Sequence, residues 1–178
     1  MENPELLKRL WKLLKTGNDF AQQAISGHYI GIPYSKLDCQ ALIERVLKDT
    51  TGKSYNWRGS NDMFRNACQY IRPVGEDPVP AGYLLFTVKH DGGEVERGYH
   101  DDLGNASHVG IRLFETGKQG SIHSTTGGVQ FAEFPSRRWT HCGPLKCLDY
   151  SETEADTEKI RNLINDAIAC LKEVLDSL

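Results

Sequence analysis

With 178 residues, 39% hydrophobic and 25% charged, the chain is long enough for one domain with a substantial core, and its composition is that of an ordinary globular protein. A formal net charge of −3 removes the electrostatic case for nucleic acid or an anionic membrane surface as partner. No apolar run approaches the roughly 18 residues of a membrane span, and the acidic start Met1-Glu2-Asn3-Pro4-Glu5 lacks the basic region of a signal peptide, so the expected location at synthesis is the cytoplasm.

Residues 4–15 predict a first helix, with Leu6, Leu7, Leu10, Trp11 and Leu14 on one face and Gly17 as its end. A second helix is expected from about Asp19 to Ser26, followed by the turn-rich Gly31-Ile32-Pro33-Tyr34. A third begins at Cys39. Asp38 is a good N-cap, and Leu42, Ile43, Val46 and Leu47 recur at helical spacing until Thr50-Thr51-Gly52 closes the helix near Lys48. A short fourth helix is expected over Asn61 to Cys68.

The period then changes. Pro73, Pro78 and Pro80 break the helical pattern. Gly82 to Lys89 reads as a strand, and residues 90–105 as a long polar loop. Ser107 to Phe114 is the clearest strand, with Val109, Ile111 and Leu113 on one side and His108, Gly110 and Arg112 on the other. Ser121 to Ser124, Val129 to Glu133 and Leu145 to Tyr150 complete the strand series. Helices first and strands afterwards predict an α+β fold with an antiparallel sheet over residues 1–150. Residues 151–178 predict a separate amphipathic C-terminal helix, suited to packing or to homo-oligomerisation.

The chemistry-bearing residues are few. Cys39 falls in the first turn of its helix, where unpaired N–H groups favour thiolate over thiol. Five cysteines at irregular spacing make a poor disulfide framework and fit a reducing compartment. A hairpin through Glu115-Thr116-Gly117-Lys118 pairs Phe114 with Gln119. It places His108 opposite Thr125 and His123 diagonal to His108 on the same face. The expected array is Cys39 as nucleophile, His108 as general base and then acid, and His123 as the group that orients the His108 ring. The expected oxyanion donors are the Cys39 N–H and a second group, for which the Tyr34 hydroxyl is one candidate. His141, Cys142 and Cys147 lack a standard zinc spacing and a fourth ligand, and no metal or other cofactor is expected.

Pro33-Tyr34, Asp38-Cys39 with Leu42-Ile43, Leu84-Leu85-Phe86, Ser107-His108-Val109-Gly110-Ile111 and Ile122-His123, in that order, resemble the NlpC/p60 family of papain-like cell-wall cysteine peptidases. The resemblance covers residues 30 to 150. It implies a helix-borne nucleophile packed on an antiparallel sheet, with Cys39, His108 and His123 as the catalytic set. It also implies Tyr34, Asp38 and Ser107 near a substrate groove, Asp38 being either a helix cap alone or an anchor for a substrate amine as well. The implied activity is hydrolysis of an amide bond in peptidoglycan stem peptides, in a phage or prophage setting or after release by lysis. The chain departs from the family at Gln40-Ala41, where Ser-Gly is usual, and at Gly82-Tyr83, where Gly-Asp is usual. Two other functions remain open: an acyltransferase or transglutaminase-like enzyme on the same Cys-His site, and a catalytically inert binding or assembly module.

Overall fold

The structure is a computed structural model that describes residues 15–75, 78–90, 99, 101–115, 118–136 and 138–150. Among the described residues three helices, α1 (Gly17–Ser26), α2 (Cys39–Thr51) and α3 (Ser60–Asn66), precede six strands. The strands are β1 (Arg72–Pro73), β2 (Leu84–Lys89), β3 (Asn105–Glu115), β4 (Lys118–Thr125), β5 (Gly128–Glu133) and β6 (His141–Gly143). They form one antiparallel sheet in the order β1-β6-β2-β3-β4-β5. The α+β expectation holds at this level. The helices expected over residues 4–15 and 151–178 lie outside the described residues. Among those described, no helix is long and apolar enough to cross a membrane.

Gly17 does not end a helix; it begins one. Thr16 caps α1 by accepting from the Asp19 N–H, and the Asp19 carboxylate accepts from the Thr16 N–H, a reciprocal box that defines a start. In α2, the Asp38 carboxylate accepts from the Ala41 N–H at 2.8 Å. Gly52 stops the helix in a left-handed conformation, φ 73°, and its N–H donates to Lys48 O. The helix therefore continues through Thr51, past the expected end near Lys48.

The buried face of α2 is Leu42, Ile43, Val46 and Leu47, each with no exposed surface. Burial of each is worth roughly 2 kcal/mol at most. These side chains pack with Phe20, Phe64, Phe86, Val109, Ile111 and Ile122 in the main core, so the helices cover one face of the sheet. A second, smaller cluster of Val79, Tyr83, Leu85, Trp139 and Cys142 covers the opposite face. The alternation expected along β3 is therefore present, and both of its faces are occupied. Arg112, only 3% exposed, lies over the Phe134 ring at 4.2 Å on the second face.

The expected strand over Leu145 to Tyr150 is absent. Leu145 makes one isolated bridge to Cys68, and the Leu145 N–H donates to the Tyr150 hydroxyl. Pairing on that side of the sheet is taken instead by β6, whose Cys142 opposes both Leu85 and Arg72.

Candidate active site

Cys39 is the first residue of α2 and is 9% exposed. The segment before it is pinned to the sheet from several directions. The Gly31 N–H donates to Val129 O, the Val129 N–H donates to Ile32 O, and Ser124 Oγ donates to Leu37 O. A turn closed by the Lys36 and Leu37 N–H groups on Pro33 O then delivers Asp38 as cap. Tyr34, in that turn, is 42% exposed. The Asp38 carboxylate is committed to capping, and this local duty needs no substrate to explain it.

The helix start does not leave Cys39 with an easily ionised thiol. Burial pushes its pKa up, more strongly than the backbone hydrogen bonds from Val109, Gln40 and Cys39 pull it down, and the nearby Asp38 charge raises it further. The helix-terminal effect acts in the expected direction but is outweighed by desolvation. Burial thus opposes the thiolate that the helix start favours.

His108 lies on β3 just after a bulge. Thr87 pairs with His108 and Val88 with Ala106, so Ser107 is the extra residue. That bulge lets Ala106 and Val109 both enter the helix-side core while His108 turns to the other face. Ser107 is exposed, and its hydroxyl donates to Thr87 O at 3.4 Å.

The β3–β4 register is as expected where the ladder exists. Phe114 opposes Gln119, and Gly110 opposes His123, so His123 is diagonal to His108. The ladder continues to Glu115 and Lys118, a shorter connection than the four-residue loop anticipated. It does not reach the expected His108–Thr125 pair. The two rings meet: His108 Nε2 and His123 Nδ1 are 2.8 Å apart.

Trp139 completes this face. Its indole stacks on His108 with centroids 5.6 Å apart and planes at 15°, and it meets His123 edge-on at 5.4 Å. Gly110 makes the space, because a Cβ there would lie 2.7 Å from the Trp139 ring. Trp139 Nε1 donates to Ser121 Oγ at 3.2 Å, which satisfies the buried indole. His108 and His123 are both pushed down to about 4, mainly by burial, His108 also by His123 and then Arg138, and His123 by Arg138. Both rings are therefore neutral at neutral pH.

The structure thus joins His108 to His123 and sets Cys39 against the backbone of Val109, one residue beyond His108. Cys39 belongs to the helix-side core, whereas His108 packs on Trp139 on the second face. Among the described residues no hydrogen bond joins Cys39 Sγ to the His108 ring. His141 and Cys142 are adjacent on β6 and diverge, His141 against Phe64 and Cys142 into the second cluster. No group of three His, Cys, Asp or Glu positioned for a metal ion occurs among the described residues.

Two contributors escaped the sequence reading, and a third was read only as a departure from the family. Trp139 and Arg138 lie in an irregular segment without periodicity. Their only advance sign is Gly110 between two histidines on one face, which leaves room for a large ring. Gln40 is the third. Its Nε2 donates to Glu44 Oε1 and Trp57 O, and its Oε1 accepts from the Gly59 N–H at 2.6 Å. Glu44 Oε1 also accepts from the Trp57 N–H at 2.8 Å. The residue after Cys39 thus ties residues 57–59 to the start of α2. Gln40→Ala is expected to cost about 1–3 kcal/mol and to speed hydrogen exchange at the Gly59 amide. Urea unfolding with amide exchange measures both, and an unchanged Gly59 rate would refute the tie.

No protein-family model matches the chain, and no curated protein matches it significantly.

Proposed function

We propose that the chain is a papain-like cysteine peptidase that cleaves an amide bond in peptidoglycan stem peptides. The observation that carries the chemistry is the 2.8 Å His108–His123 contact on the sheet whose Val109 backbone meets the helix-start Cys39. With Nε2 engaged by His123, Nδ1 is the His108 nitrogen available to the thiol. The choice of substrate rests on the resemblance of the Asp38-Cys39 and His108-Val109-Gly110-Ile111 motifs to the NlpC/p60 family. Action on a cell wall would follow lysis or delivery by a phage particle.

A neutral thiol and a neutral imidazole set the mechanism. As Cys39 Sγ attacks the amide carbonyl, His108 takes the thiol proton and becomes imidazolium, with its other nitrogen held by His123. The carbonyl oxygen gathers charge near the Cys39 N–H, one of the unpaired donors of the first helical turn. Collapse passes the proton from His108 to the leaving amine. Water, deprotonated by His108, then hydrolyses the thioester. Tyr34, Asp38 and Ser107 are proposed to line the groove.

Purified peptidoglycan and muropeptides incubated with the protein should give products whose masses sum to substrate plus one water per bond cut. Products extended by an amine would instead identify an acyltransferase. A second reading, an inert binding or assembly module joined to partners through residues 151–178, is favoured by one observation, the buried Cys39 with its raised pKa. No product from several wall types, together with slow alkylation of Cys39, would overturn the peptidase in favour of that module.

The pH dependence has a definite sign. His108 must be neutral to accept a proton, and its pKa is about 4. Activity should therefore persist through mildly acidic pH and fall only as pH drops through about 4. Stability behaves differently. Both rings titrate near 4 when folded and near 6.5 otherwise, so the unfolded chain binds more protons between those values. Stability is full above about 6.5 and declines as pH falls toward 4. A pH–rate profile with an acid limb near 6.5 would contradict this environment.

A further inference from the structure

Two nitrogens converge on one nitrogen of His123. His108 Nε2 lies 2.8 Å from His123 Nδ1, and Arg138 Nη1 lies 3.0 Å from the same atom. A guanidinium has only donors. Where it bonds to Nδ1, that nitrogen carries the lone pair, and the His123 proton resides on Nε2. His108 Nε2, facing the same lone pair, must then carry its own proton. A neutral imidazole has only one N–H, so His108 Nδ1 is left unprotonated. That is the nitrogen the proposed mechanism requires as base.

We propose that Arg138 is a positioning residue that fixes the tautomers of the histidine pair, holding His123 as acceptor and His108 with its basic nitrogen on Nδ1. The inference rests on the peptidase reading for its catalytic consequence, but the tautomers themselves do not depend on it.

The surroundings support a built arrangement. Arg138 is anchored through its backbone, since Thr87 Oγ1 donates to Arg138 O at 2.9 Å. The next residue, Trp139, lies against both rings and, with Gly110, leaves little room for either to turn. His123 Nε2 is buried without a hydrogen-bond partner among the described residues, so its N–H is held there at a cost. A preference imposed at Nδ1 explains why that cost is borne. The charged groups that act on the pair come from β4, as His123 itself, and from the segment before β6, as Arg138. The Arg138 cation opposes protonation of both rings.

Without Arg138, His123 is free to place its proton on Nδ1 and donate to His108 Nε2. His108 then becomes Nδ1–H and offers the thiol no lone pair. In Arg138→Met, which keeps much of the stem but removes donor and charge, kcat should fall on the order of tenfold to a hundredfold, a fraction of the loss caused by a fully wrong tautomer, with KM nearly unchanged. The acid limb of the rate profile should move up from about 4.

The decisive measurement is nitrogen NMR of 15N-histidine-labelled full-length protein, wild type and variant, near neutral pH and without substrate. The expected wild-type pattern is Nε2–H for both His108 and His123, with a shift toward Nδ1–H in Arg138→Met. A wild-type His108 in the Nδ1–H form would overturn the proposal even if the variant failed to fold. So would a folded Arg138→Met with unchanged ring tautomers. A protein that shows the expected tautomers but cleaves no wall peptide would leave the positioning inference supported and remove the peptidase reading, so the two failures are distinguishable.

Discussion

Cys39→Ala is expected to abolish turnover while leaving the fold in place. The sulfur is the proposed nucleophile, and no other thiol lies at a helix start in the described structure: Cys68 and Cys142 are buried elsewhere, and burial pushes Cys68 up to about 12. Loss of a nucleophile from a comparable array typically lowers kcat on the order of a million-fold. The structural cost should be small. Alanine is the best helix former, Asp38 still caps the Ala41 N–H, and only one sulfur leaves the edge of the core. About 1 kcal/mol is expected. The N–H of residue 39 is retained, so the variant should still bind peptide without cutting it. Product masses and a thermal melt test both halves. Cleavage within a hundredfold of wild type would remove Cys39 as nucleophile, whereas a collapsed melt would show that the side chain is structural.

Gly82→Ala should have the largest effect on stability. Gly82 has φ 80°, and a Cβ there would lie 2.1 Å from Gly17 O and 2.6 Å from Gly17 C. Both obstacles are backbone, and Gly17 is held by its place as the first residue of α1. Gly82 itself is fixed from two sides: its N–H donates to Arg112 O at 2.8 Å, and its carbonyl accepts from the Tyr150 hydroxyl at 2.9 Å. Neither chain can move away without losing these bonds. The left-handed backbone alone costs an alanine about 1 kcal/mol. Together with the clash, a loss of about 3–5 kcal/mol is expected, a large share of the stability of a typical domain. Urea titration monitored by tryptophan fluorescence reads this as a lower midpoint. An unchanged midpoint would mean that α1 and the start of β2 are not packed this closely. The contact also gives a local reason for Gly82-Tyr83: the glycine admits α1, and Tyr83 enters the second core.

What could be read from the chain alone was mostly local. Asp38 followed by apolar residues at helical spacing defines the start of α2, because a cap and a periodic face act within a few residues of each other. The alternation from Val109 to Leu113 defines β3 and the face that carries His108. Hairpin arithmetic brings His123 diagonal to it, because the connection is short and the register follows from its length. Even locally, Gly17 misleads: glycine often ends helices, but the Thr16–Asp19 box makes it a beginning.

Tertiary structure decided the rest. Burial of Cys39 overrides the helix terminus, since desolvation depends on what packs over the thiol and not on its neighbours in sequence. Pairing of β6 with both β1 and β2, and the loss of the expected strand at Leu145, depend on partners some 60 or 70 residues away. Trp139 and Arg138 reach the histidine pair from a segment with no period of its own. The sequence alone singled out Cys39, His108 and His123 as candidates. Packing determined their protonation, because a proton's position is set by the donors, charges and water that remain around it once the chain has folded.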